Sequence, residues 1–340
     1  MNLQPSIQTQ RTRLSVRCPM FTGTIALGSL LLTAVVPTVA RADCDRACLL
    51  RAADSYLSDL SGHSPAALAS DGQVVFTENN VQLYPGEALW KTLSNVGSAP
   101  VHVADPKTGQ VAVLVAVEEG GRPALLAARL ALKHGKIREL DTVVARKESA
   151  TFLKPEGFAN EAALMESQLA PAERRPREQL TAIATNYFRN LVDNDAPLPE
   201  FDDSCNRIEN GVQSTNNPLP ASSQAGAALN APFSSLSCLD QFKTRSLTFV
   251  SGIRALTYPI IDEENGVVFA TAIFDHDGLA RRGSASGQLS ASLPSPYSFL
   301  VRELFKIRDG RIVHIDAVLV SIPYGGQSAW KAERVGTHLP

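Results

Sequence analysis

Cys205-Asn206-Arg207-Ile208-Glu209-Asn210-Gly211-Val212-Gln213 has a shorter echo in Phe76-Thr77-Glu78-Asn79-Asn80-Val81-Gln82, and laying one on the other divides the chain into two copies of one unit. The shift that carries Glu78-Asn79 onto Glu209-Asn210 is 131 residues. The same shift carries Leu49, Ala52, Ala53, Tyr56, Leu57 and Leu60 onto Leu180, Ile183, Ala184, Tyr187, Phe188 and Leu191, the apolar stripe of an amphipathic helix. Chance rarely preserves one shift through a helix and a separate motif. Further on, the shift grows. Asp105 to Gly109 with the following strand matches Asp262 to Gly266, and Leu132 to Asp141 matches Ile307 to Asp316. The growth places insertions in the second copy, at about 214–237 and 278–296, whose Ser, Asn, Pro, Ala and Gly content reads as surface loop.

Each copy therefore runs helix, motif loop, then three or four strands joined by hairpins, an α+β order with the helix packed on one face of a sheet. Residues 1–42 read as a secretory signal, with Arg11, Arg13 and Arg17 leading an apolar run and cleavage expected after Ala42. The first unit is assigned to 43–145, a partly packed linker to 146–175, the second unit to 176–332 and a tail to 333–340. The signal holds four arginines and no acid, so of 32 basic and 34 acidic residues the remainder keeps 28 and 34, a formal charge of −6. That balance argues against nucleic acid as a partner, and no stretch is long and apolar enough to predict a membrane span. A secreted or periplasmic location follows.

Cleavage leaves Cys44, Cys48, Cys205 and Cys238. An even count in an exported chain predicts two disulfides, and of three connectivities the sequence-local one, Cys44 with Cys48 and Cys205 with Cys238, is preferred. No ligand spacing calls for a metal, and there is no Gly-rich phosphate loop or nucleophile elbow, so no cofactor is expected.

A Tyr-centred opening helix, a curved sheet and a terminal pair of the form Lys/Arg-x-Gly-Lys/Arg-Ile-x-x-Ile/Leu-Asp resemble the NTF2-like or SnoaL-like cone fold. Cys44 to Cys48, Thr77 to Asn79, Cys205 to Gly211, Glu303 to Ile307, and Pro323 to Gly325 with Trp330 resemble secreted tandem SnoaL-like proteins of undefined function. The resemblance implies two cone-shaped units and a small, partly aromatic or polyketide-like ligand. Such sheets often pair across a dimer; a tandem satisfies that contact within one chain, which favours a monomer.

For chemistry, the hairpin around Asp309-Gly310 is decisive. A two-residue turn there sets Phe305 opposite His314 and Glu303 opposite Asp316, with Phe299, Val301, Glu303, Phe305 and Ile307 on one face. The first copy offers Ala128 where the second has Glu303, and Phe76 where the second has Arg207. Two opposed carboxylates away from water cannot both ionise, so Glu303 is predicted as a proton-holding acid and Asp316, steadied by His314, as a base. Arg207 or Arg254 would bind an oxyanion. The resulting expectation is a cofactor-independent lyase, isomerase or hydrolase. Its alternatives are a non-catalytic small-molecule binder and a structural module.

Other readings stay open. Glu303 with an arginine is equally a structural ion pair, and the Ile312/Ile315 spacing hints at a bulge that would turn His314 and Asp316 to the other face. Glu209 and Asn210 read as turn ties before ligand contacts. His276 is a candidate rim group, and Tyr324 with Trp330 either a packed tail or an aromatic lid.

Overall fold

The computed structural model describes residues 44–339 apart from 70–73, 159–160, 194, 221, 224–230, 246, 248–249, 279–294 and 331–336. The expected signal segment with its expected cleavage site, and most of the second inserted loop, lie outside the described residues.

The repeat appears as one strand order written twice, apart from one edge of each sheet. Helix α1 (Arg46–Ser61) precedes β1 (Val75–Glu78), β2 (Val81–Leu83), β3 (Leu93–Val96), β4 (Val101–Asp105), β5 (Gln110–Glu119), β6 (Arg122–Lys133) and β7 (Lys136–Ala145). Helix α2 (Arg177–Val192) precedes β8 (Phe201–Glu209), β9 (Val212–Gln213), β10 (Gly252–Asp262), β11 (Val267–His276), β12 (Tyr297–Arg308), β13 (Arg311–Ile322) and β14 (Thr337–Leu339). The first sheet runs β2-β1-β7-β6-β5-β3, with β4 also on β5; the second runs β14-β10-β11-β12-β13-β8-β9. Strand β10 stands where the first copy has β3 and β4, and β14 is added at the edge. In both sheets, the motif strand lies parallel to the last long strand and every other pairing is antiparallel. The fold is thus α+β with two mixed sheets.

Each helix buries the predicted stripe. Leu49, Ala53, Tyr56, Leu57 and Leu60 of α1 meet Val113, Leu126, Ala128 and Leu140 of the first sheet. Leu180, Ala184, Tyr187, Phe188 and Leu191 of α2 meet Val268, Ala270, Phe305 and Ile315 of the second. The opposite faces of the two sheets cover one another, joining Val103, Leu114, Leu125 and Val143 to Phe269, Ile273, Leu300, Leu304 and Val318. Central strands buried on both sides lose the polar/apolar alternation and read as near-continuous apolar runs. The linker belongs to this inter-sheet core: Phe158 and Met165 are buried in it, and Lys306 Nζ donates to Met165 O and Ser167 O at 3.3 and 2.6 Å.

A reciprocal pair of ion contacts ties the copies together. Arg46, which opens α1, reaches Asp262 of the second sheet at 2.8 Å, and Arg177, which opens α2, reaches Asp105 of the first at 2.7 Å. These four residues stand at matching positions of the repeat. The aspartates are buried and the arginines partly so, a setting in which such pairs fix the register of two packed bodies.

The motif loop has a structural job in both copies. Asn79 and Asn210 adopt positive φ, and each side chain clasps the backbone of the neighbouring long strand, Val144 in the first copy and Leu319 in the second. The turn-tie reading of Asn210 therefore holds. Gly211 follows at φ +79°, and a Cβ there would lie 1.9 Å from Lys154 O, where the linker crosses. Gly211→Ala is expected to destabilise the protein by about 2 kcal/mol or more, through strain and forced separation of the linker. Urea denaturation checks it; a change under about 0.5 kcal/mol would contradict the crossing.

Both preferred disulfides form, Cys44–Cys48 beside the N-cap of α1 and Cys205–Cys238 between β8 and the short helix Cys238–Lys243. No helix among the described residues is long and apolar enough to cross a membrane.

Candidate functional site

The hairpin of β12 and β13 turns where expected, at Asp309-Gly310, with Arg308 facing Arg311 and Ile307 facing Ile312. Val313 is then an extra residue. Beyond it Lys306 faces His314, Phe305 faces Ile315, Leu304 faces Asp316 and Glu303 faces Ala317. Because side chains alternate with a period of two, this bulge reverses the parity of all that follows on β13. Glu303 stays on the inner face as predicted, whereas His314 and Asp316 move to the outer face, against the other sheet. The predicted Glu303/Asp316 acid–base pair is not assembled. The first copy carries its bulge at the equivalent residue, Arg138, between Leu132↔Ile137 and Ala131↔Glu139.

Glu303 sits in a polar thread through an aromatic core. Tyr187 OH donates to Glu303 Oε1 at 3.1 Å, and Arg207 approaches Tyr187 OH at 3.4 Å. Arg207 also donates to Ser214 Oγ at 3.1 Å and Gln241 Oε1 at 2.6 Å, and lies 3.6 Å from Glu209 Oε2. Phe188, Phe201, Phe242 and Phe305 pack around Tyr187. Burial above all, then the charge of Glu209, lifts Glu303 from 4.5 to about 8, against the opposing pull of Arg207 and Tyr187. The acid whose charge acts on Glu303 is thus Glu209, one strand beyond Ala317, and not Asp316. Glu303 Oε2 and Glu209 Oε2 are both buried without a hydrogen-bond partner among the described residues.

Of the other predicted residues, Arg254 does not join this group. Its strand position faces Ile273, on the outer side, and its guanidinium pairs with Asp275 at 2.5 Å. His276 is buried, with its ring 4.9 Å from that of Tyr297. Tyr324 is 50 % exposed. Trp330 is no lid over the second unit's interior: its Nε1 donates to Thr77 Oγ1 of the first copy at 3.0 Å, and its ring lies 4.9 Å from the Arg129 guanidinium.

Trp330 instead forms a wall of a cleft of about 820 Å³ between the outer faces of the sheets. Arg129, Glu139, Arg302, Thr257 and Thr271 line it together with apolar side chains such as Ile273 and Leu300. At its floor Arg302 grips the buried Asp141 in bidentate fashion at 2.7 and 3.0 Å, and Thr77 Oγ1 adds a bond at 3.0 Å. Burial would raise the Asp141 pKa, but the charges of Arg302 and Arg129 outweigh it and hold the carboxylate below its ordinary value. Arg129 is pinned by Gln110 at 2.7 Å and Glu139 at 2.8 Å. The charges of the lining offset one another, so the cleft presents a neutral, mostly apolar surface with hydroxyl and amide groups.

Sequence reasoning missed Arg302, Arg129, Asp141 and Tyr187 as polar partners. The one available signal was Asp141, which recurs as Asp316 midway along the last long strand of each copy.

Residues 173–319 match a sequence-family model described as a domain of unknown function (DUF8021). The match starts just before α2 and ends in β13, taking in most of the second copy. No curated protein matches the chain. Among solved structures, a crystal structure of a de novo designed protein with a curved β-sheet aligns at 17% identity over 31% of this chain and 89% of its own, with a TM-score of 0.23.

Proposed function

We propose that the protein is an exported small-molecule binder, built of two tandem SnoaL-like units, whose ligand lies in the cleft between the sheets. The cleft volume carries this reading. About 820 Å³ falls within the roughly 300–1,000 Å³ of small-ligand sites, and the lining combines an apolar surface with a few fixed polar groups. The occupant that fits is a small, uncharged, largely apolar molecule, aromatic or polyketide-like, with oxygens placed for Thr257, Thr271 and Gln110. Export is supported by the basic-apolar leader and by two disulfides, which suit an oxidising compartment. A monomer is supported by the outer sheet faces, which cover each other within one chain.

A test begins with native mass spectrometry of the exported protein for a co-purified molecule, followed by screening of neutral aromatic compounds. Trp330→Ala is expected to weaken binding about tenfold, by removing an aromatic wall worth about 1.4 kcal/mol. Unchanged affinity in that variant, measured by calorimetry, would place the ligand elsewhere.

One observation favours a second reading, acid catalysis in the interior of the second unit. Glu303 holds a proton near neutral pH and has an unbonded oxygen, as a general acid requires. On that reading Glu303→Gln abolishes turnover and spares binding; retained turnover in the variant excludes it.

A further inference from the structure

The geometry points to a divalent metal site at Glu161, His314 and Asp316, suited to zinc or a similar first-row ion. One ligating atom from each residue stands within 4.8 Å of the other two, and His314 Nε2 lies 2.9 Å from both Glu161 Oε2 and Asp316 Oδ1. Imidazole nitrogen and carboxylate oxygen are both zinc ligand types, and three protein ligands leave a fourth tetrahedral position to water. The bulge at Val313 creates the set, because it turns His314 and Asp316 together toward the linker that carries Glu161.

Three observations separate this group from an ordinary buried ion triad. First, a single Nε2–H faces two carboxylate oxygens and can bond fully to only one of them. Second, Asp316 is 0 % exposed and its Oδ2 is buried without a partner. Such a group normally carries two or more hydrogen bonds, and leaving one unmade is expensive.

Third, the repeat supplies a control. Asp141, the first-copy counterpart of Asp316, is satisfied by Arg302 and Thr77, with Arg129 alongside. The strand neighbour of Asp141 is Arg129, whereas that of Asp316 is Leu304. Among the described residues no arginine or lysine pairs with Asp316 or Glu161. Two carboxylates thus face one imidazole, where the first copy sets guanidinium groups against its acids. A divalent cation would restore the balance of charge and take up the idle oxygen.

Binding would displace the Nε2 proton to solvent and draw the three ligand atoms around the ion at about 2.0–2.2 Å. The two 2.9 Å contacts of His314 would widen, and the two carboxylate oxygens, which lie within 4.8 Å of each other, would settle on either side of the ion. Glu161, whose side chain is 12 % exposed, opens the site to solvent, and its capture would fasten the linker to the second sheet.

The experiment uses Zn²⁺ itself on the full exported protein, stripped with chelator and then titrated by calorimetry, with metal content read by mass spectrometry. One equivalent of Zn²⁺ per chain is expected. Glu161→Gln and Asp316→Asn should each weaken it by more than the roughly 10- to 100-fold that loss of an outer-shell partner brings. Glu161→Gln alters a partly exposed linker residue, so its fold, checked by circular dichroism, survives to be measured. Cobalt(II) added to the native protein should give a visible absorption band that is missing in Glu161→Gln. The proposal is overturned by an absence of uptake, or by uptake undiminished in Glu161→Gln. The latter would move the ion to a group such as His102 with Asp54 and Glu166.

Discussion

Glu303→Gln is expected to stabilise the protein at pH 8 by about 3 to 5 kcal/mol and to leave its stability nearly unchanged at pH 4. In the folded chain Glu303 keeps its proton up to about 8, while the unfolded chain releases it near 4.5. Between those values the folded state binds one proton more than the unfolded state, so stability falls as pH rises. The contribution is fully present below about 4.5 and is lost through about 8. One pKa unit corresponds to about 1.36 kcal/mol, which sets the size of the effect. Glutamine reproduces the shape of the protonated acid and accepts the Tyr187 hydrogen bond, but it has no proton to lose. Urea denaturation of both proteins from pH 4 to 9 should give diverging curves. Parallel curves would mean that Glu303 is ionised in place, as a plain partner of Arg207.

Arg302→Leu should lower stability by about 3 to 5 kcal/mol at neutral pH. The guanidinium and Asp141 are both nearly inaccessible, and they belong to different sheets, so the substitution strands a buried carboxylate at the seam of the molecule. Arg129, 3.9 Å from Asp141, compensates only in part. The double variant Arg302→Leu with Asp141→Leu should recover much of the loss, because removal of both charges also removes their desolvation. Chemical denaturation of the cycle reads this directly. A loss under about 1 kcal/mol for Arg302→Leu would mean that the pair is hydrated, and that the cleft floor is wetter than the packing implies.

Much of this arrangement is legible in the residues, and what is not has an identifiable cause. The repeat, both helix stripes, the Asp309-Gly310 turn, the disulfide pairing and the inner face of β12 all follow from local periodicity or spacing. The parity of β13 does not, because one inserted residue, Val313, reverses it, and a turn signal reports where a hairpin closes without reporting whether it slips. The Ile312/Ile315 spacing is the available warning. The first copy repeats the bulge at Arg138, so comparing the two copies could not expose it: Ala128 and Asp141 are displaced by the same amount as Glu303 and Asp316.

Contacts between the copies were hidden for a different reason. Arg46 with Asp262, Arg177 with Asp105 and Arg302 with Asp141 join residues far apart in sequence, and nothing in either partner's local sequence names the other. The linker, read as partly packed, goes deeper than its mixed charge suggests: Phe158 and Met165 are buried between the sheets, and Glu161 stands beside His314.

The proposed binding site is the cleft between the sheets, and it can be read directly. The chain has two tryptophans, of which Trp90 is buried in the first core and Trp330 lines the cleft, so the indole N–H resonances separate the two environments. Titrating the co-purified molecule or a screening hit into labelled protein should shift the Trp330 indole signal together with Thr257 and Thr271, and leave Trp90, Tyr187 and Phe305 in place. A shift confined to Tyr187 and Phe305, with Trp330 unmoved, would put the ligand inside the second unit and contradict the cleft.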